Sequence, residues 1–464
     1  MRGESLTLAG LAAQIQSGSL TPTEVVSRIL DRVEKTNRTY NAFITVLKER
    51  ALGMAADAEK EIRAGRYRGP LHGIPVSLAD VIQIQGVRCT AGSRILAENV
   101  AEHDATVTGK LREAGAVIIG TNNMDEFGIG VTGFNPHYGP VLNPWNPEYL
   151  AGGCSGGSAA AVAAGLAAFS LGVDAGGSVR IPAALCGVVG LKPTYGRVSK
   201  HGIIPVSWSL DHIGILAKTV RDAAIVLRMV AGYDSEDESS VYVEVHDYLA
   251  ELERSVEGLK VCMLGEVKPV SREVMSRLRQ FVGVLESLGI TVEEVELDAR
   301  QVKDCWSTIM LSEAAAFHDK LLTTREGDYG RDVAEALRKG SRITAVDYIK
   351  ALKEMSALKN IILKTLDSYR AIISPTTPIT AVKKGEESVE IDGEKMDVYT
   401  ALTSQTMLYN LAGIPAITIP AGLSSEGLPV GMQIAGRLFD EATILRIGHQ
   451  ALEKMKTSIN LPQV

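Results

Sequence analysis

The sequence predicts an α/β fold, and three stretches carry that prediction. A helical segment from Ala105 to Ala114 runs directly into the strand-like Ala116-Val117-Ile118-Ile119-Gly120. Lys260–Leu264, Val274–Leu288 and Ile290–Leu297 repeat the order strand, helix, strand. Further on, Lys359 to Ile373 carries a helix into a strand ending at Ser374-Pro375-Thr376-Thr377-Pro378. Short apolar runs that alternate with amphipathic stretches fit a sheet covered by helices, with parallel strands where a helix makes the crossover.

Composition sets the limits of that reading. An apolar content of 45% with 22% charged residues is ordinary for a globular chain. A length of 464 residues suggests about three domains by size alone. The informative segments, however, spread from Gly73 to Arg437, so one large core is expected. The formal net charge of −7 argues against a dedicated nucleic-acid surface. Cys89, Cys154, Cys186, Cys262 and Cys305 are scattered, odd in number and without metal-ligand spacing, which fits a reduced, cytoplasmic protein with no metal. Met1-Arg2-Gly3-Glu4-Ser5 leads straight into a helical pattern, so no secretory leader is expected. The longest low-charge run, Ser158 to Val173, is too short to cross a bilayer, and no membrane contact is expected.

In chain order, Thr21-Pro22-Thr23-Glu24 supplies an N-cap, a first-turn proline and a glutamate placed for a capping box. Val25, Val26, Ile29, Leu30 and Val33 then recur at helical spacing. Asn41 to Val46 reads as a short extended piece, and Glu49 to Ala64 as a second helix. Val76-Ser77-Leu78 is a candidate buried strand with Ala79 projecting from its end. Asn143-Pro144-Trp145-Asn146-Pro147 is a rigid loop whose Trp145 could border a pocket. Thr219 to Val230 is an amphipathic helix, Gly232 to Glu251 a charged surface connection, and Lys383 to Asp397 a charged hairpin or loop.

The stretch richest in chemistry is Ala151 to Pro182, two glycine-rich turns joined by one small-residue helix. The first turn is Gly152-Gly153-Cys154-Ser155-Gly156-Gly157-Ser158, followed by the helix Ala159–Ala168 and the buried strand Phe169–Val173. The second is Asp174-Ala175-Gly176-Gly177-Ser178-Val179-Arg180-Ile181-Pro182. Glycines at this density permit positive φ and turn backbone N–H groups outward, which builds a nest for an anion or oxyanion. A serine that ends such a nest is a candidate nucleophile. Two tight turns around a closely packed helix are the purely structural alternative.

This pair of turns resembles the signature region of the amidase signature family. Members usually read Gly-Gly-Ser-Ser-Gly-Gly-Ser and then Asp-Thr-Gly-Gly-Ser, and here Cys154 and Ser178 lie 24 residues apart, as that pattern asks. The resemblance implies a serine nucleophile at Ser178, with Cys154 where a bridging serine, preceded by a cis peptide bond, normally stands. It implies a buried lysine base at the end of Gly73-Ile74-Pro75-Val76-Ser77-Leu78-Ala79-Asp80, and Ala79 occupies that position. Backbone N–H groups at Ala175, Gly176, Gly177 and Ser178 would hold the oxyanion, and Ala175 stands where threonine is usual. Met124 and Gly128-Ile129-Gly130 would contribute to substrate binding; Thr121 and Asn122 depart from the family's Gly-Lys-Thr-Asn. His72 and His212 are read as structural, although a Ser-His-Asp arrangement with His212 as base is the alternative.

Several expectations follow from the resemblance. The fold is an α/β/α sandwich with a mixed, mostly parallel central sheet, in one domain over residues 1–464. Within it, helices fill 1–65, the signature core 70–230, a variable substrate-side region 234–370, and a return to the core 371–464. The segments Ser312–His318 and Asp328–Gly330 look more like free-standing amidases than an amidotransferase subunit. The reaction is hydrolysis of a small carboxamide or urea-like C–N bond, without metal or organic cofactor. The partner is a small-molecule amide, with a homodimer as one assembly. Alternatives are a glutaminase subunit feeding ammonia to a tRNA-dependent amidotransferase, and a remodelled or non-catalytic relative that binds amides. The missing lysine leaves the chain impaired or inactive, whether Ala79 is an introduced change or part of a cluster with Thr121, Asn122, Cys154 and Ala175.

Overall fold

Thr21 caps the helix Pro22–Tyr40 as its sequence asks: its hydroxyl accepts from the Glu24 N–H, and the Glu24 carboxylate accepts from the Thr21 N–H. Val25, Val26, Ile29, Leu30 and Val33 form the buried stripe. The second helix spans Lys48–Arg63. A shorter helix precedes both, Leu8–Gln16. The computed structural model describes residues 7–264, 269–297 and 301–455. The lead-in read from Met1 to Ser5 lies outside the described residues.

One sheet of eleven strands organises the molecule. Its order is Phe43–Val46, Val117–Asn122, Pro75–Ala79, Phe169–Val173, Ile213–Ala217, Val189–Lys192, Ala416–Leu423, Pro429–Gly436, Ala371–Pro375, Lys260–Leu264 and Thr291–Val295. The sheet is mixed, but its balance differs from the expected one. Among the described residues six pairings are antiparallel and four parallel. Two of the parallel pairs, 75–79 beside 117–122 and 260–264 beside 291–295, are joined through a helix. In the middle, Ala416–Leu423 and Pro429–Gly436 form a hairpin, and hairpins are antiparallel by construction.

Helices cover both faces, and one strand shows it. On Pro429–Gly436, Gly431 abuts Ala184, in the helix Arg180–Cys186, and Gln433 bonds to Arg180 of that helix. Ile434, on the opposite face by strand alternation, meets Gly448 of the helix Glu441–Met455. The charged segment near the end of the chain is the hairpin Ser388–Ile391 with Glu394–Asp397. The sequence does not announce the long helix Val302–Arg325 or the helix Arg331–Gly340 that follows it. A buried carboxylate rivets the first of these to the core. Glu313 accepts from the Ser207 Oγ at 2.5 Å, the Ser209 Oγ at 2.6 Å and N–H at 3.0 Å, and the Tyr348 Oη at 2.7 Å.

Candidate active site

The second glycine turn takes its shape from a carboxylate beneath it. Asp174 is fully buried, and its Oδ1 accepts the Gly177 N–H at 2.8 Å while Oδ2 accepts the Val179 N–H at 3.2 Å. The Arg180 guanidinium, also fully buried, donates to both oxygens at 3.1 Å, and Asn410 Nδ2 donates to Oδ1 at 2.8 Å. Burial alone would raise the carboxyl pKa, but the Arg180 charge and hydrogen bonds, with Lys192 and Asn410, hold it well below the carboxylate range. The turn is thus wound around a fixed negative charge. This narrows the expected oxyanion donors. The Gly177 N–H is already engaged with Asp174, whereas those of Ala175, Gly176 and Ser178 have no protein acceptor among the described residues.

Ser178 is 8% exposed and borders a small, partly open cleft. It shares the floor with Ala175 and Gly176. Trp306 and Met310, one turn apart on Val302–Arg325, form one wall. Tyr399 and Thr403, one turn apart on the helix Val398–Thr403, form the next. Gly128, Gly130, Val131 and Val206 close the remaining side. The indole N–H of Trp306 donates to the Ala175 carbonyl at 2.8 Å, and a Cβ on Gly176 would fall 2.6 Å from the same ring. The long helix therefore rests directly on the nest. Gly128 lines the cleft as expected; Met124 does not, because it is buried behind Gly128. Trp145 is also displaced from its expected place: its indole N–H donates to the Cys186 carbonyl, away from the cleft.

The first glycine turn lies against the nucleophile candidate. The Ser155 N–H donates to the Ser178 carbonyl at 3.1 Å, and the Cys154 thiol, beside Ser178, donates to the Val173 carbonyl at 3.9 Å. A Cβ on Gly128 would come within 3.7 Å of Cys154 Sγ, so the sulfur borders the cleft's edge from below. Burial raises the pKa of this thiol far above its ordinary value, and the nearby Asp125 and Asp174 charges add to the rise. Cys154 is therefore a protonated thiol and not a thiolate.

Ala79 ends the strand Pro75–Ala79, in register with Asn122 on one side. On the other side the same strand pairs with Phe169–Val173, whose Gly172 packs against Ser155. Strand alternation puts Ala79 on the face of Ser77, and that face carries a hydroxyl network. Ser77 Oγ donates to Ser170 Oγ at 3.1 Å; Ser170 Oγ and Ser158 Oγ donate to Asn122 Oδ1 at 3.0 and 3.2 Å; Asn122 Nδ2 donates to the Ala42 carbonyl at 3.2 Å. This network is buried and neutral, and none of its members is a base. In the sequence Asn122 is only a departure from a pattern; its hydrogen bonds to Ser158 and Ser170 are not legible there, since the second lies 48 positions away.

No other described side chain supplies the missing base to Ser178. His212 Nδ1 lies 2.7 Å from the Leu210 carbonyl and 3.2 Å from that of Asp174; burial pushes its pKa well down, and it does not line the cleft. His72 accepts the Arg68 N–H through Nδ1, far back in the fold, as a structural histidine does. Lys192 is fully buried, but its Nζ donates to the Ile414 and Pro193 carbonyls at 2.6 and 3.2 Å. Asp125 does not line the cleft: its carboxyl lies behind Gly130, accepts the Gly133 N–H at 3.4 Å, and is pushed up to about 7 by burial. Among the described residues there is no group of His, Cys, Asp and Glu able to hold a metal ion, and no helix long and apolar enough to cross a membrane.

Known proteins show which family shares this chain's sequence and fold. A family model described as Amidase matches residues 24–445. Over 98% of its length the chain is 39% identical to the A subunit of the glutamyl-tRNA(Gln) amidotransferase from an Exiguobacterium species, covering 98% of that protein. A crystal structure of an amidase superposes with a TM-score of 0.88 at 33% identity, over 97% of this chain and 99% of that one. A bacterial aryl acylamidase of the amidase signature family superposes with a TM-score of 0.92 at 26% identity, over 98% of this chain and 97% of that one.

Proposed function

Because the chain belongs to the amidase signature family, we propose that it binds a small amide over Ser178 and cleaves the C–N bond slowly, for want of a base. The observation behind this is one turn of backbone. Ser178 borders the cleft beside the unpartnered N–H groups of Ala175 and Gly176, over the Asp174–Arg180 pair. In the reaction, Ser178 Oγ adds to the amide carbonyl carbon and those N–H groups receive the developing oxyanion. The hydroxyl proton has to leave Ser178 and reach the departing nitrogen; ammonia or an amine departs, and water then hydrolyses the acyl-serine. Cys154 is the first group on the proton's way, but its thiol is already protonated, and Ala79, where the family's lysine would stand, accepts nothing. Loss of a positioned base lowers the rate by about 10²–10⁴-fold.

A second reading has its own support. The curated relatives are A subunits of glutamyl-tRNA(Gln) amidotransferases matched nearly end to end, which favours a glutaminase role over a free-standing amidase. This runs against the sequence-based leaning from Ser312–His318 and Asp328–Gly330. Such a chain would pass ammonia to partner subunits, and the missing base weighs on it equally. We read residues 1–464 as one domain, since a single sheet runs from Phe43 to Gly436. Five free, buried cysteines suit a cytoplasmic location. Ammonia release from acetamide, benzamide, urea and glutamine, with and without candidate partner subunits, tests both readings. Slow release that Ser178→Ala abolishes supports the first. Fast glutamine-specific release only in the presence of partners supports the second, and fast release that survives Ser178→Ala refutes both.

A further inference from the structure

The walls of the cleft carry information about what fits. Every side chain that faces Ser178 across it is uncharged. Trp306, Met310 and Tyr399 present apolar and aromatic surface, and the opposite side is two glycines and two valines. Trp306 is not free to swing: its N–H is tied to the Ala175 carbonyl, and its ring lies against Gly176 and 6.2 Å from the Tyr399 ring. Two carboxyls lie close by and neither lines the cleft: Asp174, beneath the nest, is paired with Arg180, and Asp125 lies behind Gly130, turned toward the backbone of Gly133. A free amino acid amide such as glutamine would bring an ammonium and a carboxylate into this cleft, and neither would find an opposite charge there. Burying an unpaired charge is strongly unfavourable, whereas a flat apolar group gains by stacking on the fixed indole.

We propose that Trp306 is the specificity-determining residue of this site, and that it selects uncharged amides with a flat, apolar acyl group and excludes zwitterionic amino acid amides. The proposal rests on the reading that amides bind over Ser178. Its geometry assigns the helix Val302–Arg325 the choice of acyl group and the nest the recognition of the amide carbonyl. Tyr399 supplies the second aromatic surface from the far end of the chain.

The test is equilibrium binding of benzamide, acetamide and L-glutamine to the full chain by calorimetry. Benzamide is expected to bind at least about tenfold more tightly than either of the others, a difference of about 1.4 kcal/mol. Trp306→Leu should weaken benzamide about tenfold more than it weakens acetamide. Trp306→Phe, which keeps a ring but loses the bond to Ala175, should fall between. Ser178→Leu, which fills the floor, should block every amide. The comparison of ligands on the unmodified chain needs no variant, so a misfolded substitution does not leave the matter open. If glutamine binds best and Ser178→Leu blocks it, the specificity assignment is overturned while the amide site stands. If benzamide binds equally well without the Trp306 ring, the assignment is also overturned. If no amide binds, or Ser178→Leu blocks none, the amide site and this assignment fail together.

Discussion

Arg180→Met removes the charge on which the nest is wound, and its cost follows from the bonds the guanidinium makes. That group holds both oxygens of Asp174 and also donates to Gln433 Oε1 at 3.2 Å, Asn410 Oδ1 at 2.6 Å and the Thr406 carbonyl at 3.2 Å. Removing one partner of a buried ion pair costs about 3–5 kcal/mol, because the other charge stays behind uncompensated. A loss of at least about 3 kcal/mol at pH 7 is expected, on the lower edge of that range. The pH dependence carries a sign. In the unmodified chain the Asp174 pKa is depressed, so its contribution is present above the unfolded value of about 3.9 and lost as pH falls through the folded value. Without Arg180, burial is far less opposed and the pKa rises. The folded state then takes up a proton that the unfolded state does not, and the variant's deficit shrinks as pH falls from 7 to 5. Guanidinium unfolding at both pH values, read from midpoints and slopes, measures this. A deficit under about 1 kcal/mol at pH 7, or one that grows toward pH 5, would refute the role given to the pair.

Other expectations concern single side chains. Iodoacetamide at pH 7.5 should leave Cys154 unmodified in the folded chain and modify it readily after denaturation, because the thiol is buried and its pKa raised; rapid native labelling traced to Cys154 by peptide mass spectrometry would show a thiolate. Glu313→Gln, which cannot serve all four of its present donors as acceptor, should cost about 1–3 kcal/mol. It should also weaken benzamide binding several-fold by loosening the helix that carries Trp306, and a thermal shift without an affinity change would limit Glu313 to holding the fold.

What could be read from the sequence was what is local. Thr21 and Glu24 announce a capping box within three residues of each other, and the structure contains it. Thr219 likewise caps the helix Val220–Val230 through its bond to the Asp222 N–H. The glycines of the two turns marked the candidate site because positive φ at Gly152, Gly153 and Gly177 requires them. What stayed hidden depends on partners far apart in the chain. Asn410 reaches Asp174 across 236 positions and Gln433 reaches Arg180 across 253, so no pattern near the nest revealed how it is held. Trp306 sits in a helix of low amphipathic contrast, and its bond to Ala175 spans 131 positions. The expected excess of parallel strands failed for a related reason: helix-joined strands are visible as local order, while pairings between distant hairpins are not.

The most direct measurement is ammonia release by Ala79→Lys, set against the unmodified chain and against Ala79→Lys combined with Ser178→Ala. Ala79 is 1% exposed and lies beside Asn122, so the new amine would be buried, and burial lowers an amine's pKa, as it does to about 8 for Lys218. An amine so placed becomes a base as pH rises through its pKa. If a missing base alone silences Ser178, Ala79→Lys gains at least about 10²-fold, the gain grows from pH 6 to pH 9, and Ser178→Ala removes it. No gain at any pH, or a gain that persists without Ser178, would contradict the account.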